Sequence, residues 1–68
     1  MHKLRIDIFL HAPVVLEFEN EKDRESVWVQ INREIRDNRP FTLNHQSGYQ
    51  GLITINPAYV RTIEEVSE

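Results

Sequence analysis

Residues 3–10 read KLRIDIFL and residues 14–19 read VVLEFE. In both stretches apolar side chains recur at every second position, which is typical of a strand with one face against a core. The connection between them is HAP at residues 11–13, and Pro13 suits the start of a strand because its missing N–H is tolerated there. The pattern predicts a β-hairpin at the start of the chain, and this hairpin decides the class of fold.

The short connection also predicts how the two strands pair. It places Leu10 opposite Val14 and, further along, Arg5 opposite Glu19, which is a favourable cross-strand charge pair. A slip by one residue would bring apolar side chains opposite charged ones throughout. We therefore expect one defined register.

A helix is predicted over residues 21–37. Asn20 is a favoured N-cap residue, and acidic residues cluster in the first turn, where they complement the helix dipole. Asn38 suits a left-handed C-cap, and Pro40 prevents the helix from continuing. The apolar arc of this helix consists of Val27, Trp28, Ile31 and Ile35. We expect Trp28 to be a core side chain because of its large apolar area.

Two further strands are predicted at residues 41–45 and 52–56, joined by a polar hairpin loop at residues 44–51 that holds both glycines. Residues 57–66 suit either a helix or a single turn followed by an edge strand, and we favour the second interpretation. The predicted fold is a single α+β domain over residues 1–68, in the order β-β-α-β-β. One helix packs on one face of a mostly antiparallel sheet, with a possible short strand or helix at the end.

The stretch INPAYVRTIE, residues 55–64, contains an Asn-Pro pair followed by an Ile-Glu pair. In this wording it resembles a short segment of FlbD-type flagellar proteins. The resemblance covers under a fifth of the chain, and it implies a strand–turn–strand arrangement without implying an activity.

Composition excludes several classes of protein. The chain has 68 residues and no cysteine, so disulfides and thiolate metal sites are absent, and we expect a cytoplasmic location. The net charge is −3 and the basic residues are scattered, so nucleic acid is not the expected partner. No apolar run approaches the roughly 20 residues of a membrane span.

Few residues suit catalysis or metal binding. His2, His11 and His45 do not fall at the spacings that place two imidazoles on one face of an element, so we expect neither a metal site nor a cofactor. His45 and Ser47 combine a base with a nucleophile, but no orienting acid or glycine pattern for an oxyanion hole accompanies them. We therefore expect a non-catalytic protein.

The hairpin loop is the segment with the best composition for recognition. It combines hydrogen-bonding side chains with one aromatic ring and the freedom of glycine, as antibody loops do. None of its side chains is needed for the predicted core. The predicted binding residues are Arg39, Asn44, His45, Gln46, Ser47, Tyr49 and Gln50.

Three apolar residues are assigned to the sheet face that points away from the helix, namely Phe9, Val15 and Leu52. Together they predict an apolar patch through which the chain forms a homo-oligomer. The leading functional hypothesis is a small regulatory or accessory protein that binds another protein, in the manner of a phage or plasmid inhibitor. The alternative is a protein that sequesters a nucleotide or other small ligand at an oligomer interface.

Overall fold

The first two strands of the chain are antiparallel neighbours, so the predicted hairpin is confirmed. The computed structural model describes residues 1–67, and the last residue of the predicted domain, Glu68, lies outside the described residues. The elements are β1 (His2–Ile8), β2 (Val14–Phe18), α1 (Glu21–Arg36), β3 (Phe41–Leu43), β4 (Ile53–Ile55) and β5 (Val60–Ser67). Single 3₁₀ turns stand at His45–Ser47 and Pro57–Tyr59. The predicted α+β class and element order are confirmed.

The strands form two antiparallel sheets. The larger sheet has the order β2-β1-β5, and the smaller one pairs β3 with β4. Both sheets and the helix contribute to one core, because the buried apolar side chains come from all of them: Leu4, Ile6, Val14, Leu16, Phe18, Ile31, Phe41, Leu43 and Ile55. The helix therefore covers the inner face of the larger sheet, and β3 and β4 contribute further side chains to the same core.

The register of the hairpin differs from the predicted one. Ile6, rather than Leu10, pairs with Val14, and Arg5 lies opposite Val15 instead of Glu19. Because the shift is an even number of residues, each side chain of the paired segments keeps the predicted face. Lys3 and the carboxylate of Glu17 form a cross-strand ion pair at 3.7 Å. Each partner lies two residues before its counterpart in the predicted Arg5–Glu19 pair.

The cause of the shift is a longer turn, which extends from Phe9 to Pro13. Leu10 has φ of 56°, a left-handed conformation that few side chains other than Asn, Asp and Gly adopt readily. The backbone N–H of His11 donates to the carbonyl of Ile8 at 3.2 Å and closes this turn. Leu10 is consequently 90% exposed, so its predicted place in the core was wrong.

The helix begins and ends as predicted, to within one residue. The side chain of Asn20 accepts a hydrogen bond from the backbone N–H of Asp23 at 2.8 Å, and Asn38 is left-handed with φ of 55°. Ile31 is buried, while Val27, Trp28 and Ile35 are half-buried and pack against the core. Trp28 therefore contributes to the core while keeping part of its ring at the surface.

The last segment is a turn followed by a strand, which confirms the interpretation favoured from the sequence. Asn56 begins the turn, and its side chain accepts from the backbone N–H of Ala58 at 3.0 Å. β5 then pairs with β1 along its length, with Glu64 opposite Arg5. β1 is thus the central strand of the larger sheet.

Candidate functional site

The predicted binding loop is an ordered turn built on Asn44. The side chain of Asn44 accepts a hydrogen bond from the backbone N–H of Gln46 at 2.9 Å, and its carbonyl accepts from Ser47 at 2.9 Å and Tyr49 at 3.0 Å. These bonds end β3 at Leu43, before the predicted end at residue 45. Asn44 therefore positions the loop through its own hydrogen bonds.

Gly48 fixes the loop against the edge of β2. It is left-handed with φ of 85°, and its carbonyl accepts the backbone N–H of Glu17 at 2.9 Å. A Cβ atom on Gly48 would lie 2.7 Å from the carbonyl oxygen of Glu17, closer than real Cβ contacts. Only glycine fits at this close approach. The loop is thereby held against β2, although the two segments are far apart in sequence.

The loop side chains divide between two surfaces. His45 and Gln46 are exposed, and with Gly48 they face the end of β2 and the first turns of α1. Tyr49 and Gln50 line a separate hollow on the other side of β2, next to Val15. The structure therefore brings only part of the predicted loop residues together.

Tyr49 and Ser47 are less free than predicted. Tyr49 is half-buried and packs against the core cluster, with Cε2 of its ring near Gly51. Ser47 is half-buried beside the cleft between α1 and β3. The expectation that no loop side chain contributes to the core was wrong for Tyr49, because docking of the loop on β2 carries its ring onto the apolar cluster.

Arg39 makes its ion pairs at the end of the helix. It follows the end of α1, and its guanidinium contacts Asp37 at 3.0 Å and Glu34 at 3.3 Å. β3 separates it in sequence from the loop at residues 44–51. Its observed interactions are those of a helix C-terminus.

The three residues predicted to form one apolar patch lie in three different places. Phe9 is in the β1–β2 turn, Val15 is on the outer face of β2, and Leu52 precedes β4 in the other sheet. Each is exposed. The outer face of the larger sheet carries mainly charged and polar side chains around Val15 and Val66: Lys3, Arg5, Asp7, Glu17, Thr62 and Glu64. This face is therefore not the continuous apolar surface that was expected.

An open groove lies where the loop faces β2 and α1, and we call it the loop groove. Its volume is about 400 Å³. The lining residues come from the end of β2, from the first half of the helix and from the loop: Glu17, Phe18, Glu19, Asp23, Ser26, Val27, His45, Gln46 and Gly48. The groove thus combines carboxylates and two exposed polar side chains with two apolar residues, Phe18 and Val27.

The acids of the loop groove are not equally available. Glu17 contacts Lys3 at 3.7 Å, and the Oδ2 atom of Asp23 accepts a hydrogen bond from the side chain of Asn20 at 3.0 Å. Glu19 is exposed at the end of β2. Glu19 is therefore the acid best placed to contact a bound molecule.

A second, smaller cleft lies between α1 and β3. Its volume is about 40 Å³, and Val27, Ile31 and Leu43 are among its lining residues. This space admits one or a few water molecules and no larger ligand. It is a packing gap beside the core.

The polar contacts around Asp7 form a further cluster on the outer face. Thr62 donates a hydrogen bond from its hydroxyl to Asp7 at 2.7 Å, and Arg5 donates from Nε at 3.2 Å. The hydrogen bond from Thr62, followed by the positive charge of Arg5, holds the pKa of Asp7 below its usual 3.8. The cluster ties β5 to β1.

Arg24 is a buried charged residue that the sequence interpretation missed. Its side chain is 5% exposed, and it contacts the Glu65 carboxylate at 3.0 Å, the Val66 carbonyl at 3.2 Å and the Ser67 hydroxyl at 3.0 Å. It joins the start of the helix to the end of β5. Its position four residues before Trp28, on the apolar arc, is a signal that would have identified it.

The three histidines lie in different parts of the structure, on β1, in the β1–β2 turn and in the loop. Within residues 1–67, no group of three or more histidine or acidic side chains is arranged to hold a metal ion. In the same range, no helix has both the length and the apolar character needed to cross a membrane. Comparison with protein-family models, with curated proteins and with solved structures finds no match to this chain.

Proposed function

We propose that this chain is a non-catalytic module that binds another protein at the loop groove. The observation that supports this proposal most directly is the convergence of three elements on the groove. The exposed side chains of His45 and Gln46 stand opposite the end of β2 and the first half of α1. Such a mixture of adaptable polar groups with apolar residues is common where proteins recognise one another.

The shape of the groove favours a polypeptide segment over a small molecule. Small ligands usually bind in clefts that remove most of their surface from water. The loop groove is open, and its apolar lining residues are Phe18 and Val27. A side chain of the partner would lie against these two residues, while the main chain of the partner remains near the surface.

The charge of the groove indicates the kind of segment. Among residues 1–67, the lining residues include Glu17, Glu19 and Asp23 and no lysine or arginine. Opposite charges across an interface steer association and exclude partners of the wrong sign. We therefore expect a partner segment with an apolar side chain next to a lysine or arginine.

The experiment begins with the wild-type chain immobilised and used to capture proteins from the cell of origin, in competition with free chain. The captured protein is identified by mass spectrometry, purified, and titrated against wild type and variants by calorimetry. His45→Ala with Gln46→Ala should weaken binding by at least tenfold, since interface energy is concentrated in a few residues.

Two matched changes serve as controls. His11→Ala makes the same chemical change in the β1–β2 turn, and Gln50→Ala makes it on the side of the loop that faces away from the groove. Both should bind like wild type. A double variant at His45 and Gln46 that binds as tightly as wild type would contradict the proposal, as would the failure of free chain to displace any captured protein.

A further inference from the structure

β5 presents the longest open strand edge of the molecule. It has eight residues and lies at one side of the sheet, next to β1. The opposite edge, on β2, is bonded to Gly48 of the loop, and β3 and β4 have three residues each. Among residues 1–67, β5 packs extensively against β1 alone. A long open edge is a template for another strand.

The pairing pattern shows which backbone groups face this edge. Glu17 donates its N–H to the loop, so its backbone groups point away from β1. Lys3 pairs with Glu17, so the backbone groups of Lys3 point away from β2 and face β5. The groups of Val66, which pairs with Lys3, therefore face β1, and these directions alternate from one residue to the next along each strand. By the same alternation, the N–H and C=O groups of Ile63 and Glu65 point outward, where another strand would bond to them.

The core is also less complete at this edge. Ile63 pairs with Ile6 and packs against the core cluster from the same side of the sheet. Leu4 and Ile6 are 0% exposed, whereas Ile63 is only half-buried. An added strand would cover the exposed part of Ile63.

We propose that β5 pairs antiparallel with β5 of a second copy, with Ile63 on the two-fold axis, to give a continuous six-stranded sheet. Residues 62–64 of the two copies then face each other directly, and Arg61, where the pairing of β5 with β1 is irregular, flanks them at each end. Centring the pairing on Glu64 or Glu65 would place two like charges directly opposite, which is unfavourable. Centring it on Thr62 would leave the end of β5 unpaired. The register centred on Ile63 avoids both.

The charges on the outer face fit the same register. Arg61 and Thr62 line a hollow with Asp7, so Arg61 lies towards the outer face, and Glu64 lies on that face opposite Arg5. In the dimer, Thr62 lies opposite Glu64 of the second copy. Arg61 precedes Thr62 in β5 and therefore lies beside the same Glu64. Symmetry gives two Arg61–Glu64 contacts, so the edge is complementary to itself.

A charge exchange tests the interface directly. The wild-type chain should show a mass of twice 8.1 kDa by sedimentation or light scattering as its concentration is raised. Arg61→Glu and Glu64→Lys should each weaken the dimer at least tenfold, because each places two pairs of like charges across the axis. An equimolar mixture of the two variants should dimerise again, because positions 61 and 64 then carry opposite charges at both contacts across the axis.

Crosslinking tests the register. The chain has no cysteine, so a single introduced thiol crosslinks only between copies. Ile63→Cys should form a disulfide rapidly, because hydrogen-bonded residues opposite each other have Cα atoms about 5.5 Å apart. Thr62→Cys and Glu64→Cys should crosslink far more slowly, since each is displaced along the strand from its own copy.

Three results would each overturn the dimer: a wild-type mass that stays at 8.1 kDa at millimolar concentration, a variant mixture that remains monomeric, or equal crosslinking at the three positions. Hydrogen exchange on the wild-type chain provides a test without any substitution. The amides of Ile63 and Glu65 should exchange more slowly as concentration rises, and unchanged rates would also refute the proposal. None of these changes touches the loop groove, so the outcome is independent of the proposed function.

Discussion

Gly48→Ala should destabilise the fold through two separate effects at one position. The left-handed backbone of Gly48, with φ of 85°, costs a residue with a Cβ atom roughly 1–2 kcal/mol. The new Cβ would also lie 2.7 Å from the Glu17 carbonyl oxygen, so the loop must withdraw and its hydrogen bond with Glu17 is lost or weakened, at roughly 1 kcal/mol. The expected loss is therefore about 2–3 kcal/mol.

This loss is large for the molecule. A chain of this length has a free energy of unfolding of roughly 3–10 kcal/mol. The expected change corresponds to a fall in melting temperature of about 10–20 °C. Urea denaturation followed by Trp28 fluorescence and thermal denaturation followed by circular dichroism both measure it, and Trp28 is suitable because it packs against the core.

Two variants separate the causes. In Gly51→Ala the added Cβ meets only the Tyr49 ring, at 3.3 Å, so the change in stability should stay within about 0.5 kcal/mol. In Gly48→Asn the added Cβ atom also meets the Glu17 carbonyl, but asparagine adopts a left-handed φ more readily than alanine does. Its loss of stability should therefore lie between those of Gly48→Ala and Gly51→Ala. Equal stability of Gly48→Ala and Gly51→Ala would show that the loop is not docked on β2 in the way described.

Arg24→Ala should cost about 2–3 kcal/mol, because the hydrogen bonds that join α1 to the end of β5 are lost, and Arg24→Met should cost less because it keeps the apolar stem. Equal denaturation midpoints for the two variants would show that the stem does not contribute. Thr62→Val should raise the pKa of Asp7 towards 3.8, as an NMR titration of the carboxyl carbon would show. Because the folded pKa is the lower one, the stability that Asp7 contributes is present above pH 3.8 and is lost as the pH falls through the folded pKa, and this dependence should be weaker in Thr62→Val. An unchanged pKa would rule out the hydrogen bond as the main cause.

The alternation of apolar residues was sufficient to predict the faces of the first two strands but not their register. An even shift moves no side chain to the other face, so the pattern cannot distinguish Ile6 from Leu10 as the partner of Val14. The distinction depends on the turn, in which Leu10 adopts a conformation that its side chain disfavours. Local sequence preference does not reveal such a choice.

The last strand was difficult to predict for a different reason. Along β5 the half-buried residues are Val60, Ile63 and Val66, which recur at every third position, as on a helix face, instead of at every second position as in a regular strand. The irregularity in pairing between Asp7 and Ile8 of β1 places Val60 on the core side with Ile63, whereas Val66 pairs with Lys3 and lies on the outer face beside Val15. The turn before it could be predicted, because Asn56 and Pro57 are typical of such a start.

For the candidate site, the sequence indicated the exposed polar side chains but not how the loop is positioned. His45 and Gln46 are exposed, as a polar loop suggests. The orientation of Tyr49 depends on contact between Gly48 and Glu17, two residues far apart along the chain. Such a contact leaves no local pattern, so the division of the loop into two surfaces is visible only in the folded structure.

The central position of β1 has a consequence for biosynthesis. Its neighbour β2 follows immediately, but its other neighbour is far along the chain, as the separation of 55 positions between Asp7 and Thr62 illustrates. During translation the hairpin is complete well before β5 leaves the ribosome, and contacts between distant residues form slowly. In that interval the vacant side of β1 is exposed to β5 of any neighbouring nascent chain. Exchange of this strand between copies is therefore the misfolding route that this topology predicts.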